Sequence, residues 1–434
     1  MGRLAADGCA PRSVIEPTAG RGAFLAAAAR AWPDARLVGV ELEPAHAAAA
    51  RALVPRADVR VGDAFTFDWR ALVASLPAPV LVLGNPPWVT TATLGAHGVA
   101  ARPRARPADV RGLDAVTGRS NFDVSEPLVG RLLEALEGRD AALAMILKLA
   151  VARRLAERHA LGGEVRRLDA RRWFGAAVDA AWVVARPGPR RWAEHLDLDA
   201  PAPARTWGVC DGRLHHDVTA FERTRALEGR ARPAWRSGVK HDCALVLELV
   251  RERGGWRSRA GSARDLEPDL VYPLLKGGDL ARGEGPERAL LLPQHALGAP
   301  TDWIERALPA TWAYLDAHRA HFERRRSRVY AGRPPFAVFG VGDYALAPWK
   351  VAVAALYPDL SFRLVGPRDG RPTLLDDTCY FLPFDTREDA ERTQRILSGD
   401  PARAFFAARL FADAKRPVTK RLLDALDLER AAGA

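Results

Sequence analysis

The first half of the chain alternates short apolar runs with helical stretches, which predicts an α/β domain with a mostly parallel sheet covered by helices. Val14 and Ile15 form a short buried strand ending at Glu16, followed by a glycine-rich turn and an alanine-rich helical stretch from Ala23 to Ala31. Leu37-Val38-Gly39-Val40 is a second strand ending at Glu41, and Pro44 suits the first turn of the next helix. Val80-Leu81-Val82-Leu83 is apolar at every position, as a central strand buried on both faces requires. It stops at Gly84-Asn85-Pro86-Pro87, because proline has no N–H for a ladder. A loop rich in Gly, Pro and Arg covers 95–119, after which Val129, Leu132, Leu133 and Leu136 recur at helical spacing. Leu143 to Leu147 and Ala181 to Val184 read as further strands. Arg186-Pro187-Gly188-Pro189 and Pro201-Ala202-Pro203 predict a boundary, giving one domain over 1–195 and a second, α+β, over 196–434.

Composition narrows the class. At 434 residues the chain is long for a single small domain, and 48% hydrophobic with 27% charged residues is ordinary globular composition. No run approaches the ~20 apolar residues of a bilayer crossing, and Met1-Gly2-Arg3-Leu4 does not open a secretory signal. Cys9, Cys210, Cys243 and Cys379 lie far apart, which argues against a disulfide framework and for a reducing cytoplasm. His215, His216 and His241 lack spaced partners, so no metal site is expected. The net charge of +11, spread over both halves, favours a polyanionic partner, and the lack of a long apolar run leaves no membrane partner expected.

The candidate chemistry follows the strand ends. Glu16-Pro17-Thr18-Ala19-Gly20-Arg21-Gly22 places glycines between a strand and a helix, where the backbone can turn sharply and approach a ligand. The turn departs from the dinucleotide Gly-x-Gly-x-x-Gly, since Leu25 stands at the third glycine position. Glu41 ends the second strand, where a carboxylate can accept both hydroxyl hydrogens of a ribose. Asp63, before Ala64, follows a third strand and could accept from an adenine amine. An exocyclic amine on a planar ring is a poor nucleophile, because its lone pair is delocalised into the ring. The side-chain oxygen of Asn85 and the carbonyl of Pro86 can accept its hydrogens and favour pyramidal geometry. Trp88 offers a face for stacking, and the rigid prolines hold the aim.

With Ser120-Asn121-Phe122-Asp123 and Trp173-Phe174-Gly175 these segments resemble, in order, the motifs of gamma-class (TaqI-type) S-adenosylmethionine-dependent adenine-N6 DNA methyltransferases. The resemblance covers residues 13–186 and implies a Rossmann-like class I methyltransferase domain followed by a target-recognition domain. It implies that Glu16, Thr18, Gly20, Gly22, Glu41, Asp63, Ala64 and Asn85 surround S-adenosylmethionine. Asn85, Pro86, Pro87 and Trp88 would then hold a flipped adenine, with Phe174 beside the ring. The family's upstream cofactor motif has no counterpart before Val14. A methyltransferase acting on RNA or protein glutamine would use the same Asn-Pro-Pro-aromatic turn, and a catalytically silent DNA-binding subunit is a third reading.

The second half carries Trp235 to Asp242, Gly342-Asp343-Tyr344, Pro348-Trp349-Lys350, Asp376 to Tyr380 and Asp413 to Pro417, which look like the recognition half of one subgroup of that family. Lysine is scarce in this arginine-rich chain, and Lys240, Lys350 and Lys415 fall inside those segments. These three, with the run Arg324-Arg325-Arg326, are the expected contacts to double-stranded DNA. A separately encoded restriction endonuclease is the implied protein partner, and the implied location is the bacterial cytoplasm, on the nucleoid.

Overall fold

The computed structural model describes residues 1–88, 123–414 and 416–434. The 95–119 loop, Ser120 to Phe122 and Lys415 therefore lie outside the described residues. Two compact units are present, one ending at Val218 and the other beginning at Thr219.

The first unit is built on one sheet. Its strands are β1 (Ser13–Glu16), β2 (Arg36–Glu41), β3 (Asp58–Val61), β4 (Val80–Gly84), β5 (Ala141–Lys148), β6 (Leu161–Asp169), β7 (Asp179–Pro187), β8 (Arg191–His195), β9 (Arg205–Cys210) and β10 (Arg213–His215). Their spatial order is β10-β9-β8-β6-β7-β5-β4-β1-β2-β3. From β3 to β5 all neighbours are parallel, and β7 enters antiparallel between β5 and β6. The order reverses at β1, with β2 on one side and β4 on the other, so the connections leaving these strands diverge and open a crevice at the carboxyl edge.

Packing explains the sequence at this seam. All five residues of β4 are buried, as expected for a strand covered on both faces. The helix Ala23–Ala31 buries Leu25 and Ala28 against the sheet. Gly39 permits that approach, since a Cβ there would sit 2.9 Å from Leu25 Cδ1 and 3.1 Å from Ala19 Cβ.

The boundary expected at residue 195 falls inside the fold, because β8, β9 and β10 extend the first unit's sheet. Trp192 and Trp207 are register partners on β8 and β9, both buried and stacked with centroids 5.1 Å apart. Pro201-Ala202-Pro203 is the connection between these strands rather than a linker.

The second unit is α+β, as its irregular patterning predicts. Antiparallel strands β11 (Arg236–Ser237), β17 (Trp349–Ala354), β18 (Arg363–Val365) and β20 (Cys379–Phe384) form one sheet. Strands β12 (Glu248–Glu252), β13 (Gly255–Ser258), β14 (Gly261–Ala263), β15 (Val271–Leu275), β16 (Arg288–Leu291) and β19 (Leu374–Leu375) form another. The core over β17 and β20 gathers Trp235, Phe405, Phe406, Val351 and Leu382, and the core along β12, β15 and β16 gathers Leu247, Leu290, Phe322 and Phe336.

Two expected DNA contacts are engaged within the protein itself. Lys350 is 1% exposed on β17, and its Nζ donates to the Ala347 carbonyl at 2.5 Å. Arg325 lies flat over Tyr330 at 3.7 Å and donates to the carbonyls of His241, Ala337 and Phe322. Periodicity around β17 marks a buried strand, and the lysine's stem suits such a place better than its charge does.

Burial pushes the Lys350 ammonium down to about 7. A lysine whose folded value lies below its unfolded value of about 10.4 binds fewer protons when folded, so its contribution makes stability rise with pH across that window. Lys350→Met is therefore expected to stabilise the protein at pH 7, by on the order of 4 kcal/mol if the whole shift is realised. That advantage should shrink as pH approaches about 10. Thermal denaturation of both proteins across this range measures it, and a difference independent of pH would exclude the buried ammonium as its source.

Candidate active site

Four strand ends of the first unit supply the site. After β1 the chain turns through Gly20 (φ +54°) and Gly22 (φ +85°), a backbone region that side chains disfavour. Gly22 also lies against the helix Pro44–Leu53, where a Cβ would come within 3.0 Å of Ala50. The Ala19 N–H donates to the Val40 carbonyl at 2.9 Å and ties this turn to β2.

Two carboxylates hold the turn from opposite sides. Glu41 Oε2 accepts from the Gly20 N–H at 2.7 Å, while its Oε1 accepts from the Glu43 N–H at 2.9 Å. Glu16 is 2% exposed, and its Oε2 accepts from the Leu25 N–H at 3.1 Å. Burial pushes the Glu16 carboxyl up to about 9; the Leu25 hydrogen bond opposes this and the Glu41 charge adds to it. Thr18 Oγ1 is buried with no hydrogen-bond partner among the described residues. Such a pocket suits a ligand that brings both hydroxyl groups and positive charge.

Asp63 closes the neighbouring strand end. Its Oδ1 accepts from the Phe65 N–H at 2.9 Å, leaving the second oxygen for a ligand, and the buried Ala64 accepts at its carbonyl from Trp69 Nε1. Leu42 and Val61 follow the same edge, 59% and 50% exposed, and offer apolar surface beside the two carboxylates. Composition could not single them out. For Leu42 the sequence signal is an apolar side chain directly after an acidic strand end, and for Val61 an apolar strand end two residues before Asp63.

Gly84 ends β4 beside Glu16, and Asn85 follows it. Asn85 Oδ1 is buried and has no hydrogen-bond partner among the described residues. An unpaired buried acceptor costs about 1–3 kcal/mol, so a donor that reaches Asn85 Oδ1 would relieve that cost. Pro86 is buried and Pro87 exposed. Trp88 Nε1 donates to the Ile146 carbonyl on β5 at 3.2 Å. Phe174 stands edge-on to the Trp88 ring, centroids 5.1 Å apart at 78°, and is 46% exposed. Asn85, Trp88 and Phe174 thus form a second subsite adjoining the glycine turn through Glu16 and Gly84.

Lys148, at the end of β5, braces this subsite. Its Nζ donates to the Trp88 carbonyl at 3.0 Å and pairs with the buried Asp123 at 2.7 Å. Asp123 in turn accepts from the backbone and hydroxyl of Ser125. As a rare lysine in an arginine-rich chain Lys148 was visible in the sequence, but only the fold supplies its partners.

The DNA contacts expected in the second unit divide. Arg324 and Arg326 are exposed, as is Arg328. Lys240 is engaged by Asp242 at 2.8 Å and Asp377 at 3.7 Å, Lys350 is buried, and the partly buried Arg325 is engaged by backbone carbonyls. No cluster of three or more His, Cys, Asp or Glu able to hold a metal occurs among the described residues.

No family model matches the chain. It is similar to the Type II methyltransferase M.NspV of Nostoc sp. (strain ATCC 29411 / PCC 7524), 33% identical over 98% of this chain and 93% of that protein. The Type II methyltransferase M.XamI of Xanthomonas campestris pv. amaranthicola is 37% identical over 21% of this chain and 18% of that one. Among solved structures the fold is similar to the Type IIL restriction-modification enzyme MmeI in complex with DNA, with a TM-score of 0.58 and 13% identity. That match covers 95% of this chain and 61% of the MmeI chain.

With the Glu16 carboxyl raised to about 9 by burial, a cation that pairs with its carboxylate form binds with loss of that proton. The affinity for S-adenosylmethionine is expected to rise between pH 7 and pH 9, by at most about tenfold per unit, with proton release on binding. Calorimetric titration in buffers of different ionisation enthalpy measures both effects. The slope should vanish in Glu16→Gln, and a pH-independent affinity in the wild type would place the cation elsewhere.

Proposed function

The chain belongs to the Type II methyltransferases, the site-specific DNA-methylating enzymes of restriction-modification systems, and from that premise we propose that it methylates N6 of adenine using S-adenosylmethionine. The observation that carries this reading is the buried, unpaired Asn85 Oδ1 beside Trp88 and Phe174. An adenine amine would donate to Asn85 Oδ1 and to the Pro86 carbonyl, which draws the nitrogen lone pair out of the ring's conjugation. Trp88 would take the ring on its face and Phe174 would close one side. A base inside a duplex cannot enter such a recess, so the target must leave its stack.

The cofactor supplies an electrophilic methyl group, so no metal is needed. The residues fit it: Glu41 for a ribose, Asp63 with Leu42 for an adenine ring, and the Glu16 carboxyl near the cationic end. When bound, S-adenosylmethionine would supply the methyl group, while Asn85 Oδ1 and the Pro86 carbonyl would hold the amine in line for it, and the proton released by the methylated nitrogen would pass to solvent. The second unit is the target-recognition domain in this proposal, with Arg324, Arg326 and Arg328 against DNA phosphates. The partner is a separately encoded endonuclease, and the location is the cytoplasm, on the nucleoid. The wide spacing of the four cysteines along the chain supports a reducing compartment.

Asn85→Ala is expected to fold normally and lose about 10²–10³ in turnover, the usual cost of one aimed acceptor. Nucleoside mass spectrometry of DNA from a host expressing either protein reads the modified base directly. Another methylated base would overturn the adenine assignment, and no methylation by the folded wild type would favour the silent DNA-binding subunit.

Replacing Arg324, Arg326 and Arg328 together by Ala should weaken binding to all duplex sequences. If each meets one phosphate, the log–log salt slope becomes shallower by about 2.7. A loss confined to the cognate site would mean that they read bases instead.

A further inference from the structure

The turn that carries Phe174 also carries an indole with no role in the pocket. The short helix Ala170–Phe174 follows β6, and its first residue is buried. It is locked at both ends: Asp169 accepts from the Arg172 N–H at 3.0 Å, and Gly175 (φ +66°) donates to the Arg171 carbonyl at 3.0 Å. Successive helical residues point about 100° apart, so fixing Phe174 against Trp88 aims Trp173 elsewhere. Trp173 is 60% exposed, more than any other large apolar side chain among the described residues. The Arg172 guanidinium lies 5.5 Å from its ring centroid, and Arg171 and Arg172 are themselves exposed.

A solvent-facing tryptophan beside a cation, on a turn locked at both ends at the rim of a pocket for a flipped base, has chemistry that fits one partner. When a base leaves a duplex, its neighbour loses a stacking face, and an indole can replace it. The two guanidiniums complement the phosphates that flank the gap. We infer that the turn from Arg171 to Phe174 is the DNA-facing rim of the pocket: Trp173 stacks on the base next to the vacated position, and Arg171 and Arg172 meet the adjacent phosphates. This rests on the proposed extrusion of the target base.

The test uses the full chain and a fluorescently labelled duplex carrying the site that the wild type methylates in cells. Trp173→Ala is expected to bind it roughly tenfold more weakly, with unchanged affinity for S-adenosylmethionine, and Trp173→Phe should recover most of the loss. The Arg171→Ala, Arg172→Ala double variant should make the salt slope shallower by about 1.8. Wild-type affinity in Trp173→Ala, or equal recovery by Trp173→Leu, would overturn the stacking role. An unchanged salt slope would remove the arginines from the rim. Methylation of a base other than adenine would sink the function proposed above and leave this test standing on the same probe. If nothing is methylated, sheared genomic DNA becomes the probe, and the outcomes for Trp173 are judged as before.

Discussion

The parallel pairing of β1 with β4, with Ser13, Val14 and Ile15 opposite Val80, Leu81 and Val82, brings the acidic turn and the Asn85 turn to one edge of the sheet. Neighbouring strands are about 4.8 Å apart, so two segments separated by the whole of β2, β3 and their helices become adjoining subsites. A slip of one residue would turn Glu16 to the opposite face and leave Asn85 without a neighbouring cofactor pocket. Burial of every residue in β4 resists that slip, because it would also displace a side-chain set packed on both faces.

The same edge concentrates groups that folding alone leaves dissatisfied. Asn85 Oδ1 and Thr18 Oγ1 are buried without partners among the described residues, and the Glu16 carboxyl is held in its neutral form by burial. Each would be cheaper if exposed. Their retention is bearable because the surrounding backbone is over-determined: Glu41 grips the glycine turn, while Lys148 and the Ile146 carbonyl grip Trp88. The well-packed parts of the sheet hold these unsatisfied groups in place.

In the second unit, charge and availability part company. Arg325, Lys350 and Lys240 look alike in a sequence, yet one caps carbonyls over Tyr330, one is buried on β17, and one is paired with acids. Their neighbours Arg324, Arg326 and Arg328 remain exposed. A guanidinium's flat apolar faces and five donors suit it to a protein interior as well as to a phosphate, so an arginine run does not by itself trace a DNA path.

Much of the first unit was legible in the sequence because its signals are local. The apolar runs of β1, β2 and β4, the glycine turn, and the acids and Asn-Pro-Pro-Trp at strand ends depend only on nearest neighbours and periodicity. The sequence by itself therefore determined the strands β1, β2, β4, β5 and β7, a mostly parallel sheet, and the residue types that stand at its carboxyl edge. The boundary falls later than the proline signal predicts, because Pro201-Ala202-Pro203 is a strand connection and the stacking of Trp192 on Trp207 arises only once β8 meets β9. Only the tertiary structure decided that Lys148 braces Trp88, that Phe174 closes on it while Trp173 faces out, and which cations stay available. These depend on contacts between residues far apart in the chain, and burial is a property of the whole packed unit that no single segment encodes.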